Sequence, residues 1–247
     1  MRRGDLLKYL DGLLEPDKFD DYAPNGLQVE GKDQIQKIAC AVSATRAVIE
    51  KAARSGADAL LVHHGWFWKN EPRPVTGIRY ERMRLLTASQ MNLLAYHLPL
   101  DAHPKIGNNA VFALKMGILR AAPSKKNPFL WIGEVRQESE GSFYERLGAL
   151  FGHAPILLGH AKNGIKRVGW CSGAGADFLL EASELGAQAF VTGEAQERTT
   201  HEARESGTAC FVCGHYATET LGIRALGETL ERSAGLETFF IEDENPL

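Results

Sequence analysis

The chain repeats itself, and the repeat restricts what it can fold into. Ile35-Gln36-Lys37-Ile38 recurs as Ile165-Lys166-Arg167-Val168, and Gly56-Ala57-Asp58-Ala59-Leu60-Leu61 recurs as Gly186-Ala187-Gln188-Ala189-Phe190-Val191, both at a separation of 130 residues. In each copy an apolar strand leads into a helical stretch closed by glycine, and a second apolar strand follows. Short apolar runs alternating with helices are the pattern of βαβ units whose parallel strands are buried on both faces. The expected fold is α/β, with two similar α/β domains from an internal duplication.

The first half opens with Leu6, Leu7, Leu10, Leu13 and Leu14 at helical spacing, so 4–15 reads as an amphipathic helix ended by Pro16. Residues 21–31 read as loop, with Pro24-Asn25-Gly26 as a turn signal. Strands are expected at 38–42, 60–64 and 93–96, and helices at 44–54, 78–89 and 108–116. Pro123, Ser124, Lys125, Lys126, Asn127 and Pro128 give 119–128 the composition of a linker. Beyond it, strands are expected near 129–135, 155–159, 166–171, 188–192, 209–213 and 236–241, and helices near 142–150, 175–185, 196–205 and 217–232. The domain boundaries that follow are a first α/β half at 1–118, a linker and spacer at 119–164, and a second half at 165–247.

In open α/β sheets ligands bind just past the carboxyl ends of the strands. The strand Leu60-Leu61-Val62 runs directly into His63-His64-Gly65. Two imidazoles there suit a metal; the bland alternative is one histidine packed in the wall and one solvated. At the 130-residue separation this pair falls on Gly193-Glu194. A second match pairs His97 with His215 and Asp101 with Glu219, each 118 residues apart, so both halves carry His-x-x-x-acid just after a strand. If the halves pack as pseudo-symmetric domains, His63, His64, Asp101, His215 and Glu219 converge on the cleft between them. Imidazole and carboxylate ligands suit zinc, iron, manganese or nickel, and five of them are enough for a dinuclear site with open positions. Glu219, the expected bridging carboxylate for its reach, also reads as an acid at the first turn of a helix. His103 and His201 read as ordinary surface or packing residues, and His153 and His160 lie in the spacer and match nothing.

Other features carry less. Cys210-x-x-Cys213 resembles half a zinc knuckle, but no second pair accompanies it, and residues three apart on a strand face opposite sides. Together with Cys40 and Cys171 these read as buried, reduced thiols. Trp66-Phe67-Trp68 either lines a pocket or packs a subunit interface. Gly173-Ala174-Gly175 could offer backbone N–H groups to a phosphate, but it lacks the third glycine of a dinucleotide fingerprint and reads better as a tight turn. The formal net charge is −3, and Arg2-Arg3 and Lys125-Lys126 are too short for a nucleic-acid surface. No apolar run approaches the ~20 residues of a membrane span, and no signal-peptide core is present, so a cytoplasmic protein is expected.

Four ordered motifs now become recognisable. They are Asp21-Tyr22-Ala23-Pro24-Asn25-Gly26-Leu27-Gln28-Val29-Glu30-Gly31, the Val62-His63-His64-Gly65 strand end, His97-Leu98-Pro99-Leu100-Asp101, and Gly214-His215-Tyr216-Ala217-Thr218-Glu219. Together they resemble the NGG-interacting-factor-like family, whose members are called GTP cyclohydrolase 1 type 2 homologues, and in particular its short, bacterial YbgI type. The resemblance covers the chain from about residue 20 onward. It implies two similar α/β domains, a dinuclear centre holding two divalent cations per chain, and a toroidal homohexamer. Longer relatives insert a domain between the halves, for which 119–164 leaves no room. The family's ligands transfer onto His63, His64, Asp101, His215 and Glu219. His97 is expected beside them as the catalytic proton relay, its imidazole orienting a ligating carboxylate. Two functions remain open at this point. One is a metal-dependent hydrolase acting on a nucleotide or related heterocycle; the other is a ring-shaped, metal-binding interaction or regulatory protein without turnover.

Overall fold

The computed structural model describes residues 1–72, 74–243 and 245–247. Its contacts divide the chain into two compact units, Met1–His103 with Gly222–Glu244, and Pro104–Leu221 with Asn245–Leu247.

In the first unit the elements are α1 (Arg3–Leu14), β1 (Gly26–Val29), β2 (Lys37–Ser43), α2 (Arg46–Arg54), β3 (Ala59–His64), α3 (Ile78–Ala88), β4 (Asn92–Ala95) and α4 (Leu98–Ala102). Helix α1 buries Leu6, Leu10 and Leu14, one stripe at a spacing of four, and stops where Glu15 turns left-handed before Pro16. Helix α2 starts at Thr45, whose hydroxyl accepts from the Val48 N–H at 3.2 Å. It presents Val48, Ile49 and Ala52 to a core that also takes Leu60, Val62, Leu86, Leu93 and Trp66.

The second unit contains α5 (Asn108–Lys115), β5 (Leu119–Pro123), β6 (Trp131–Glu138), α6 (Glu140–Phe151), β7 (Ile156–Leu158), β8 (Ile165–Cys171), α7 (Leu179–Glu184), β9 (Ala189–Thr192), α8 (Glu197–Ser206) and β10 (Ala209–Val212). Its core gathers Leu130, Ile132, Leu179, Ala182, Phe190, Ala203 and Cys210. Helix α9 (His215–Ala234) belongs to this unit as far as Leu221 and to the first from Gly222, and β11 (Glu237–Phe240) follows it.

The sheets run β1-β4-β3-β2-β11 and β5-β6-β8-β9-β10-β7. In each, three central strands are parallel, β2-β3-β4 in one and β8-β9-β10 in the other, and an antiparallel strand flanks the third, β1 on β4 and β7 on β10. The duplication extends to single hydrogen bonds. Asp58 Oδ2 accepts the N–H groups of Gln36 and Lys37, and Gln188 Oε1 accepts those of Lys166 and Arg167. Ile38 pairs with Ala59 across the strands as Val168 does with Ala189.

Three expectations need correcting. The 21–31 segment contains β1, a short strand at the sheet edge. Residues 119–164 form no linker or spacer: they supply β5, β6, α6 and β7 to the second unit. The boundaries at 118/119 and 164/165 are replaced by one after His103, and the segment from Gly222 returns to the first unit. The return has a physical basis in β11, which pairs in parallel with β2, Glu237 opposite Lys37, with an ion pair at 2.8 Å between those two side chains.

Candidate metal centre

His63 and His64 end β3, where the strand leaves the sheet, and both rings turn to the same place, with centroids 4.7 Å apart. His97 follows β4, and its ring lies 5.0 Å from that of His63 and 5.7 Å from that of His64. One nitrogen from each of the three lies within 4.8 Å of the others, a spacing that could hold a metal ion. Asp101 sits on α4, buried, with Oδ2 3.5 Å from His63 Nε2. A Cβ at Gly65 would fall 2.2 Å from Oε1 of Gln28, which accepts the Trp66 N–H, so that side chain would have to shift.

In all three histidines Nδ1 is engaged by an oxygen. His63 Nδ1 donates to the Tyr96 carbonyl at 3.1 Å, His64 Nδ1 meets the Ser43 hydroxyl at 3.1 Å, and His97 Nδ1 donates to Asp21 Oδ1 at 2.9 Å. Holding Nδ1 fixes the ring and leaves Nε2 as the ligating or proton-carrying nitrogen, which is how metal-binding imidazoles are oriented. Asp21 is itself clamped. Its carboxylate accepts from the N–H groups of Ala23 and Leu98 and from Asn25 Nδ2, and Asn25 Oδ1 accepts the His97 N–H. Burial pushes the Asp21 carboxyl up, but the bonds from His97 and Asn25, the charge on His97 and the Ala23 N–H outweigh it and bring it down to about 2.

His97 Nδ1 bonds to Asp21, an acid in the loop before β1. Composition marked that loop only as a turn, because acids in turns are ordinarily solvated.

The second unit carries a smaller cluster. His215 and Glu219 lie one turn apart at the start of α9, with His215 Nε2 3.1 Å from Glu219 Oε2. His215 Nδ1 is 2.5 Å from Glu194 Oε1, so the same arrangement recurs with a fourth imidazole. Burial pushes the His215 pKa down, but the bonds and charges of Glu219 and Glu194 override it and raise it to about 9. Glu219 is buried. Gly173 makes room for it: its φ is +61°, and a Cβ would fall 2.2 Å from Glu219 Oε1 and 3.1 Å from His215 Nε2. The Gly173 N–H donates to Thr218 Oγ1 and its carbonyl accepts from Gly193 and Glu194, so this turn braces α9. Glu194 was within reach of the sequence, since the repeat aligns Gly193-Glu194 with His63-His64.

The other candidates lie elsewhere. His160 and His201 are exposed and pair with Glu140 and Glu197, His153 is exposed, and His103 is half-buried at the end of α4. All four cysteines are free and buried; burial raises the Cys40 and Cys210 thiols to about 12 and pushes Cys213 higher still, so they stay protonated. Trp66 is a core residue whose Nε1 donates to the Ala44 carbonyl. Trp68 instead packs against the His97 and His64 rings, at 5.2 and 5.8 Å. No helix among the described residues is long and apolar enough to cross a membrane.

The family model for Duf34/NIF3 (NGG1p interacting factor 3) matches residues 1–246. The chain is 43% identical to a protein of Allochromatium vinosum called GTP cyclohydrolase 1 type 2 homolog, covering 98% of this chain and 96% of that one. It is 41% identical to the protein of that name from Escherichia coli, over the full length of both. Among solved structures, protein ybgI, described as of unknown function, superposes with a TM-score of 0.96 at 40% identity over the whole of both chains. With its fold, its ordered motifs and its full-length match in agreement, the chain belongs to the Duf34/NIF3 family.

Proposed function

We infer that this protein is a metal-dependent hydrolase-like protein with a dinuclear divalent metal centre, acting on a nucleotide or related heterocycle. The observation that carries this reading is the shared arrangement of His63, His64, His97 and His215, each with Nδ1 engaged by an oxygen. A set of imidazole nitrogens and carboxylates fits zinc, iron, manganese or nickel and suits neither a thiolate site nor an all-oxygen site. The family resemblance makes His63, His64, Asp101, His215 and Glu219 the residues that would hold the ions. Bound there, the ions supply Lewis acidity and activate water at neutral pH.

The remaining chemistry falls to the chain's own side chains. His97 carries a proton on Nε2 between the reacting atoms and solvent, and Asp21 keeps its ring in register and stabilises the protonated form, as an acid does for the imidazole of a hydrolytic triad. Gly173 and Glu194 keep Glu219 and His215 in place. The relatives' name, GTP cyclohydrolase 1 type 2 homolog, supports a heterocyclic substrate opened by hydrolysis.

The test is an unbiased substrate screen on metal-reconstituted protein with His64→Ala as the control. A metal-dependent product that His64→Ala fails to make supports the hydrolase. Silence across the screen, with specific partners co-purifying, overturns it in favour of a metal-binding ring without turnover.

A further inference from the structure

Beside the three histidines of the first unit stands an aromatic wall that the hydrolytic reading leaves unused. Tyr22 and Trp68 pack at 5.5 Å with their planes 32° apart. Tyr22 meets His97 edge-on at 5.1 Å, and Trp68 meets His97 edge-on at 5.2 Å. Tyr22 is 54% exposed, and Trp68 is half-buried, whereas Trp66, Trp131 and Trp170 are buried. A core contact would have covered the Tyr22 ring.

The wall is held in place at a cost. Phe67 has φ +66°, a left-handed conformation that is an outlier for a bulky residue. It is fixed by its N–H donating to Glu71 Oε2, by Arg79 over its ring, and by an Arg79–Glu71 ion pair. The neighbouring Lys69 N–H donates to the Tyr22 carbonyl, tying the two loops together. The strained residue directly precedes Trp68, and strain of this kind collects where a side chain must be aimed.

We propose that Tyr22 and Trp68 form the stacking wall for a planar heteroaromatic ring, so that this site selects a nucleobase-like substrate by its π-face. The proposal rests on the metal-site reading for its location. Aromatic side chains bind bases by stacking without needing a particular hydrogen-bond pattern. Organic cations also favour aromatic walls, but here a cation would sit against imidazoles that would hold divalent ions, which disfavours it.

Titration with guanosine and with GTP, followed by tryptophan fluorescence, tests this directly, because Trp68 is the tryptophan open to a ligand. Calorimetry then compares Trp68→Ala, Tyr22→Ala and Trp68→Phe with the parent protein, using ribose 5-phosphate and tetramethylammonium as non-aromatic probes. The expected result is quenching by guanosine, affinity lower by about tenfold in each alanine variant, recovery in Trp68→Phe, and much weaker binding of the two non-aromatic probes. Absence of quenching at millimolar guanosine, equal affinity in parent and alanine variants, or tighter binding of ribose 5-phosphate or tetramethylammonium overturns the proposal. Metal content measured on the same samples separates the two readings. Guanosine binding to protein that never retains metal keeps the wall and sinks the metal centre, and metal-loaded protein blind to guanosine does the reverse.

Discussion

His97 Nδ1 and Asp21 Oδ1 are joined by a 2.9 Å hydrogen bond across 76 residues of sequence, and the buried acid is fixed by three further donors. Among the site's side chains, Asp21 bonds to His97. Asp21→Asn and His97→Ala should each retain most of the metal yet lose turnover, Asp21→Asn by about 10–100-fold. The double variant should be little worse than His97→Ala, since residues acting as one unit are not additive. Metal analysis of His97→Ala checks the assignment: loss matching that of His63→Ala would make His97 a ligand.

Gly173→Ala tests the second cluster. The new Cβ cannot coexist with Glu219 Oε1 at 2.2 Å, so metal affinity should fall at least about tenfold, as for loss of a supporting contact, on top of ~1–2 kcal/mol for the left-handed backbone. Gly186→Ala is the control. Gly186 has φ +85°, but its Cβ would meet nothing closer than Arg167 Cδ at 3.7 Å, so the backbone cost should appear with metal binding unchanged. Chelator competition and denaturant titration on both variants separate the two effects.

Elemental analysis should find about two divalent ions per chain, as in two-metal hydrolytic centres. Stoichiometry should fall in His63→Ala and His215→Ala and hold in Cys213→Ser, because burial keeps that thiol protonated. Metal lost in the cysteine variant alone would overturn the ligand assignment.

Asp58 gives a pH-dependent stability whose sign can be worked out. Burial pushes its carboxyl up, but the bond from Lys32, the N–H groups of Gln36 and Lys37, and the Lys32 charge outweigh this and hold the pKa below its usual value. A depressed folded-state pKa means stability that is present above the unfolded pKa and lost as pH falls through the folded one. Asp58→Asn keeps an acceptor, as Gln188 does in the other half, so it should cost under about 1 kcal/mol at neutral pH. That difference should shrink in acid. Asp58→Ala leaves two backbone donors without their acceptor and should cost about 1–3 kcal/mol. Urea titrations at pH 7 and at pH 3 supply both comparisons.

The family resemblance leads to a closed oligomer, with six copies expected. Light scattering at micromolar concentration should give the mass of a hexamer of 27.1 kDa chains, and a monomer would reject it.

Much of this architecture was legible because the parallel strands are buried on both faces. Ala59–His64 and Ala189–Thr192 are buried apolar runs up to the polar residues that end them. The edge strands β1 and β5 were not legible for the converse reason. In β5 four of five residues are exposed, and Pro123 closes it, so it carries neither alternation nor an apolar run. Helix α4 is one turn with Pro99 at its start, too short for a periodic signal. At the site, the histidines and carboxylates stood out by type and by repeat. Asp21, Asn25 and Ser43 did not, because their importance lies in pairings 21 to 76 residues away that only the folded chain makes.

The four buried thiols turn the molecule into its own unfolding clock. Cys40 lies in the first unit and Cys171, Cys210 and Cys213 in the second, and each is sealed from reagent while its surroundings stay closed. Alkylation rates resolved by peptide mass would report how often each unit opens, without a label or an engineered probe. Comparing those rates with and without added metal would reveal which unit the ion rigidifies.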